Sequence, residues 1–153
     1  MTKVRVTQHI AGNLDAVFDL ISNHETFLSR FPGMQVRIVT QGSPERNGLG
    51  CIREVLVGTK IRYLEEIVEW SKPTSFEYLI REASMPIRHY GSRLEFTSAS
   101  SGGTDVTWTS HYNVPILTHC LIKLVTVPGG NEDWSLQRFF SMVNATIFKI
   151  RAL

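Results

Sequence analysis

The sequence predicts an α+β fold in which a curved antiparallel sheet of about seven strands wraps around one long C-terminal helix. Three observations support this prediction. A strand-like N-terminal segment precedes two short helical segments, a run of strand-like segments follows, and the chain ends on an amphipathic helical segment. With 153 residues, of which 42% are hydrophobic and 20% charged, the chain is large enough for one core. We therefore expect a single domain over residues 1–153.

The N-terminal region predicts one strand and two helices. Apolar and polar residues alternate in "MTKVRVTQHI", which is typical of a strand. In "NLDAVFDLIS" the apolar residues fall on one helical face, and Asn13 is suited to cap the start of that helix. A second short helix is expected in "HETFLSRFPG", where Pro32 and Gly33 end it. These helices are expected to close one end of the sheet.

Residues 34–114 predict the remaining strands. Short turns separate the strand-like segments, which favours an antiparallel meander over a parallel sheet with crossover helices. The segments are "MQVRIVTQ", "GLGCIREVLVG", "KIRYLEEIVEW", "SFEYLIREA", "MPIRHYGSRLEFTS" and "TDVTWTSHYNV".

The C-terminal segment predicts a helix long enough to cross the whole sheet. From residue 131 to residue 151 it would measure roughly 30 Å at 1.5 Å per residue. Glu132 and Asp133 lie at its start, where the helix dipole favours acidic residues. A curved sheet need not close tightly on such a helix, so the gap between them is a natural place for a cavity. The apolar stripe consists of Leu136, Phe139, Phe140, Val143, Ile147 and Ile150.

Four segments carry a resemblance to a known family: "LDAVFDLISNHETFLSRFPG", "GLGCIREV", "EEIVEWSKPTSFEYLI" and "GGTDVTWTSHY". In order and spacing the chain resembles the START/Bet v 1-like (SRPBCC) superfamily, in particular its polyketide cyclase/dehydrase and lipid-transport branch. The resemblance implies a helix-grip fold with a hydrophobic ligand cavity between sheet and helix. Residues 114–130 depart from simpler members of the family, and their sequence is compatible with either a helix or a strand.

Arg53 and Glu65 are the charged residues most strongly associated with the predicted cavity. Arg53 alternates with Cys51 and Val55, and Glu65 alternates with Tyr63 and Ile67 on the next strand. If these are the inward faces, the two charges form a buried ion pair, because an unpaired buried charge is costly. Two interpretations remain open: Arg53 anchors a ligand carboxylate, enolate or phenolate, or the pair is structural. With the opposite alternation Arg53 would lie in solvent.

Aromatic residues supply the other candidate ligand contacts. On the later strands these are Tyr78, Tyr90, Trp108 and Tyr112. On the C-terminal helix they are joined by Phe139, Phe140 and Val143 as the helical wall. Each is also compatible with an ordinary core or rim position. The candidates for a catalytic acid or base are Glu65 and Tyr90, with Tyr78 as a further nominee.

Several classes of function are not supported by the sequence. The Gly48-x-Gly50 motif lacks the third glycine and the following helix of a dinucleotide site. The histidines show no metal-ligand spacing, and His89 and His111 are expected at the surface. We expect no cofactor and no metal. The basic residues are scattered, which argues against nucleic acid, and no apolar run is long enough to span a membrane.

Three functions follow from this pattern. The first is a carrier or sensor that binds a small hydrophobic ligand, whether aromatic, polyketide-like or lipid-like. The alternative is a polyketide cyclase or dehydratase that uses a cavity Tyr or Glu as acid or base. The third is an interaction module whose cavity is filled. We expect a cytoplasmic protein with reduced Cys51 and Cys120. Met142 and Phe148, together with residues 114–127, are compatible with either a homodimer surface or a patch that contacts a membrane surface.

Overall fold

A computed structural model of the protein describes residues 1–31, 33–59 and 61–113. Within these residues the chain forms one curved seven-stranded antiparallel sheet and two short helices. The predicted C-terminal helix, with Phe139, Phe140 and Val143, lies outside the described residues, as does the 114–130 segment. The elements in chain order are β1 (Thr2–Ile10), α1 (Leu14–Ser22), α2 (His24–Leu28), β2 (Met34–Thr40), β3 (Ile52–Val57), β4 (Ile61–Ser71), β5 (Ser75–Ala83), β6 (Arg88–Ser98) and β7 (Thr104–Asn113).

Two asparagine side chains cap the helices. The Asn13 side chain accepts a hydrogen bond from the backbone N–H of Ala16 at 2.9 Å, as the sequence predicts. Asn23 ends α1 and also caps α2, because its side chain accepts a bond from the N–H of Thr26 at 3.3 Å. One residue thus separates the two helices, and it allows a change of direction between Ser22 and His24.

The order of the strands explains where the helices lie. Strands β2 to β7 form a meander, and β1 pairs with β7, so the sheet order is β1-β7-β6-β5-β4-β3-β2. The strands β1 and β2 are consecutive in the chain but occupy opposite edges. The connection between them must therefore cross the sheet, and α1 and α2 make this crossing, in contact with β6 and β2 respectively.

An aromatic cluster fixes α1 on the inner face of the sheet. The ring of Phe18 is centred 5.0 Å from the ring of Trp70 and 5.0 Å from that of Phe96, and 5.9 Å from Phe76. These edge-on contacts are favourable aromatic geometries, and Phe18 is fully buried. The predicted apolar face of α1 is confirmed, since Val17 and Ile21 are also buried.

Because Glu54 follows Arg53 directly, strand alternation predicts that it faces away from Arg53, into solvent. It points away from Arg53, as expected, but it does not lie in solvent, because only 6% of its surface is exposed. The side chains of Arg37 and Arg62 cover it, and Arg62 Nε lies 2.6 Å from Glu54 Oε1. Hydrogen bonds from these two arginines hold the pKa of Glu54 below its ordinary value.

Replacing Phe18 tests the importance of the aromatic cluster. Phe18→Ala should lower the free energy of unfolding by about 3–5 kcal/mol, because truncating a fully buried ring leaves a cavity. Urea titration followed by circular dichroism measures this loss. Val39→Ala, at a position that is 52% exposed, is the control and should change stability by less than about 0.5 kcal/mol. Equal effects of the two substitutions would contradict the assignment of Phe18 to the core.

Candidate ligand-binding site

A cavity of about 180 Å³ lies between the two helices and the inner face of the sheet. Most of its wall is apolar, and both helices and several strands contribute to it. These apolar residues are Ile21, Phe27, Leu28, Met34, Leu94 and Trp108. Trp108 is one of the predicted ligand contacts, and its place on the inner face is confirmed.

Four side chains with polar groups complete the wall: His24, Tyr63, Glu65 and Tyr78. Glu65 and Tyr78 are predicted candidates, and the structure places both at the cavity. A cavity that is apolar except for a few grouped polar side chains is typical of a small-molecule site, in which the polar groups orient the ligand.

Arg53 and Glu65 form the buried ion pair that the strand alternation predicts. The two residues are directly opposite each other on β3 and β4. Arg53 Nε lies 2.7 Å from Glu65 Oε1, and the side chains are 0% and 2% exposed. The N–H of Arg53 Nε is not aligned for a good hydrogen bond, so the contact is chiefly ionic. Behind the cavity wall, the Arg53 guanidinium is also 6.0 Å from the centre of the Tyr78 ring.

One of the two remaining nitrogens of Arg53 contacts the end of α1. Arg53 Nη1 donates to the carbonyl oxygen of Ser22 at 3.3 Å. This carbonyl belongs to the last residue of the helix, where the helix dipole favours a positive charge. Arg53 Nη2 is buried and has no hydrogen-bond partner among residues 1–31, 33–59 and 61–113. Arg53 itself is not part of the cavity wall formed by these residues.

His24, at the start of α2, is a site residue that the sequence reasoning missed, as is Tyr63 on β4. Nδ1 of His24 lies 2.7 Å from Glu65 Oε1, and the His24 side chain is 7% exposed. A sequence signal for the burial of His24 did exist. Within α2, His24 lies three residues before Phe27 and four before Leu28, so helical spacing places it with these buried residues.

The electrostatics of the cluster give each group a definite protonation state. Burial alone would raise the pKa of Glu65, but the positive charge of Arg53 and the contact with His24 outweigh it and lower this pKa to about 2. Burial, together with the charge of Arg53, lowers the pKa of His24 below 6.5. At neutral pH an ionised Glu65 therefore accepts a hydrogen bond from Nδ1–H of a neutral His24.

A second polar network lies beside the cavity, around His89. Its Nδ1 accepts a hydrogen bond from the N–H of Ile80 at 3.0 Å, so the proton is on Nε2. Nε2 donates to Ser92 Oγ at 2.8 Å, and Ser92 Oγ donates to Ser110 Oγ at 2.7 Å. His89 therefore cannot act as a base toward Ser92. The predicted surface position of His89 is wrong, since it lies inside and its ring stacks on Tyr78.

Tyr78 is held as a neutral phenol. Burial, with a smaller effect of the Glu65 charge, raises the pKa of Tyr78 to about 12, and hydrogen bonds with Ser92 and Trp108 oppose the shift only in part. Burial also raises the pKa of Tyr63 well above its ordinary value. Both phenols are therefore hydrogen-bonding groups at neutral pH, with little tendency to give up a proton.

The predicted place of Tyr90 on the inner face is wrong. Tyr90 is 43% exposed, and its ring lies 5.3 Å from the guanidinium of Arg88. The register of β6 with β7 shifts between His89 and Gly91, so one extra residue reverses the alternation that holds from Leu94 onward. Gly91 has a φ of 138°, a backbone conformation that residues with a side chain rarely adopt, so the irregularity favours glycine.

The other predictions have mixed outcomes. Tyr112 is half-buried near the end of β7 and is not part of the cavity wall formed by the described residues. No group of three His, Cys, Asp or Glu side chains that suits a metal ion occurs in the described part of the chain. No helix among those residues is long and apolar enough to cross a membrane.

Comparisons with known proteins agree with this architecture. The family model described as polyketide cyclase / dehydrase and lipid transport matches residues 1–132. A search of curated proteins gives no match. Among solved structures, a START superfamily protein from Mycobacterium smegmatis has a TM-score of 0.74 at 10% identity, over 97% of this chain and 98% of that chain.

Two further structures have the same fold. A protein from Rhodobacter sphaeroides has a TM-score of 0.68 at 10% identity, over 97% of this chain and 93% of that one. A protein from Thermus thermophilus has a TM-score of 0.62 at 22% identity, over 81% of this chain and 84% of that one. At these identities the structural similarity establishes the fold alone.

Removing the positive charge from the buried pair should destabilise the protein strongly. Arg53→Met should lower the free energy of unfolding by about 3–5 kcal/mol, because Glu65 is left without its countercharge. The double variant Arg53→Met/Glu65→Gln should be more stable than Arg53→Met alone, as urea unfolding at pH 7 would reveal. Arg37→Met is the control, because its side chain is 71% exposed and it should cost less than about 1 kcal/mol. If the loss of unfolding free energy in the double variant equalled the sum of the losses in Arg53→Met and Glu65→Gln, the pairing would be refuted.

The buried carboxylate should also make stability depend on pH in the acid range. Because the pKa of Glu65 is about 2 in the folded protein against an ordinary value of 4.5, its contribution is complete above pH 4.5 and is lost as the pH falls toward 2. The difference in unfolding free energy between wild type and Glu65→Gln should shrink by roughly 3 kcal/mol over that window. Urea titrations at several pH values measure the difference. A difference that is constant down to pH 2 would contradict the prediction.

Proposed function

The chain belongs to the polyketide cyclase / dehydrase and lipid transport family, and on that premise we propose that it binds a small hydrophobic ligand in the cavity, as a carrier or sensor. The cavity between α1, α2 and the inner face of the sheet carries this proposal. Its wall is mostly apolar, with polar side chains concentrated near His24 and Glu65. A ligand with an apolar body and one polar group fits such a surface.

The size of the cavity indicates a small ligand. Its volume is about 180 Å³, and an apolar cavity of about 150 Å³ in another protein is large enough to bind benzene. A substituted single aromatic ring, or one end of a lipid-like or polyketide-like chain, is therefore the matching ligand size. The volume that the described residues leave open also argues against the interaction module, which requires side chains to fill this space.

The acid and base groups that the sequence nominates favour binding over catalysis. With a pKa of about 2, Glu65 is a poor proton donor or acceptor near neutral pH, and it is already bonded to His24 and paired with Arg53. Tyr78 has a pKa of about 12, and Tyr90 lies outside the cavity. The cyclase or dehydratase alternative therefore has less support than binding. For a carrier or sensor, Phe139, Phe140 and Val143 remain predicted contacts, and a cytoplasmic location and a homodimer remain predictions.

Filling the cavity tests the proposed function. Leu94→Trp places a larger side chain on the wall and should abolish binding of para-xylene, which we expect wild type to bind. Isothermal titration calorimetry measures the affinity, and circular dichroism checks the fold, because overpacking costs roughly 1–3 kcal/mol. Val39→Trp, at an exposed position outside the cavity, is the matched control and should bind as wild type does. Undiminished binding by Leu94→Trp, or no binding by wild type, would contradict the proposal.

A further inference from the structure

Three polar side chains at the cavity contact one another in series, and this arrangement indicates which class of ligand group the cavity accepts. This inference rests on the proposed function. Arg53 lies behind the wall and is fully buried, Glu65 is next, and His24 follows on α2. Glu65 Oε1 is 2.7 Å from both Arg53 Nε and His24 Nδ1, so a single carboxylate oxygen joins the arginine to the histidine.

This arrangement determines which nitrogen of His24 carries the proton. An ionised carboxylate only accepts hydrogen bonds, so Nδ1 must be the protonated nitrogen that donates to Glu65. His24 is neutral, because burial and the neighbouring Arg53 charge lower its pKa. Nε2 is therefore left with a lone pair and no proton. It has no hydrogen-bond partner among the described residues, although His24 lies on the cavity wall.

The other acceptors on the wall are one carboxylate and two phenols. Glu65 uses Oε1 for both His24 and Arg53, and Oε2 of the same ionised group would also accept a ligand O–H and repel a ligand carboxylate. Tyr78 keeps its proton at neutral pH, because burial raises its pKa to about 12, and a neutral phenol oxygen is a weaker acceptor than an imidazole nitrogen. Tyr63 keeps its proton at neutral pH, since burial raises its pKa. Nε2 of His24 is thus a hydrogen-bond acceptor held in place by a buried ion pair.

We propose that the ligand carries a neutral hydroxyl group, as an alcohol, a phenol or an enol, and that this hydroxyl donates a hydrogen bond to Nε2 of His24. Glu65 holds the imidazole in the tautomer that accepts, and Arg53 holds Glu65 as a carboxylate. A ligand carboxylate does not fit this position, because it has no proton to donate and would lie beside the negative charge of Glu65.

The buried Nη2 of Arg53 supports the rival ligand class, an anion. Arg53 is 0% exposed and is not among the described residues that line the cavity, whereas His24 and Glu65 are, so a ligand in the cavity meets these two groups rather than Nη2. The two classes predict opposite preferences between matched probes, so one experiment separates them.

Three probes of one shape form the experiment: para-cresol, which has a hydroxyl, para-xylene, which has a methyl group instead, and para-toluate, which has a carboxylate. Their affinities are measured by calorimetry for wild type and His24→Asn. The amide N–H of the introduced asparagine is expected to replace Nδ1–H and keep the bond to Glu65, whereas nothing replaces Nε2. We expect the cresol-to-xylene affinity ratio to fall roughly three- to tenfold in His24→Asn, as for the loss of one hydrogen bond. Xylene affinity should change little.

A second measurement does not depend on any variant. The ¹⁵N chemical shifts of the His24 ring in wild type should show a protonated Nδ1 and an unprotonated Nε2, and para-cresol should shift the Nε2 signal whereas para-xylene should not. A protonated Nε2 in the free protein would overturn the proposal.

The remaining outcomes are also decisive. An unchanged cresol-to-xylene ratio in His24→Asn would overturn the hydroxyl contact but leave the proposed apolar binding intact, because xylene still binds. If para-toluate bound more tightly than para-cresol and para-xylene, the hydroxyl proposal would be wrong, and the ligand would instead be an anion bound by Arg53. Failure of wild type to bind all three probes would overturn this inference together with the proposed function.

Discussion

The buried pair of Arg53 and Glu65 is the constraint on which the rest of the structure depends. A charge in the core is tolerated only next to its countercharge, so β3 and β4 must align with these residues opposite each other. A slip of one residue would turn Arg53 to the outer face. The same two side chains reach the helices, through Ser22 at the end of α1 and His24 at the start of α2. One electrostatic cluster thus sets the strand register and the helix positions.

The charged side chains on the two faces of the sheet differ in their exposure to solvent. On the outer face, ion pairs such as Arg81 with Glu66 and Arg93 with Glu69 are partly solvated, and pairs of this kind each contribute little to stability. On the inner face the charges are few and fully buried, so their partners must be fixed. The polarity of the cavity is therefore confined to one region, and the surrounding wall is left to apolar side chains.

Much of the fold and part of the site could be predicted from alternation and helical spacing. These patterns placed Arg53, Glu65 and Trp108 on the inner face. They failed at Tyr90, because a register shift before Gly91 adds one residue and reverses the alternation there. They also missed His24, because α2 has only five residues and a helical stripe of that length is a weak signal.

By itself the sequence determined the order of strands and helices, the Asn13 cap and which neighbours share a strand face with Arg53 and with Glu65, because each depends on residues a few positions apart. Only the tertiary structure decided that these faces point inward and which group stands between the Arg53–Glu65 pair and the cavity. His24 and Glu65 are 41 positions apart, and they meet only because α1 and α2 cross the sheet from edge to edge. The contact depends on how helices pack over strands, and local spacing carries no information about that packing.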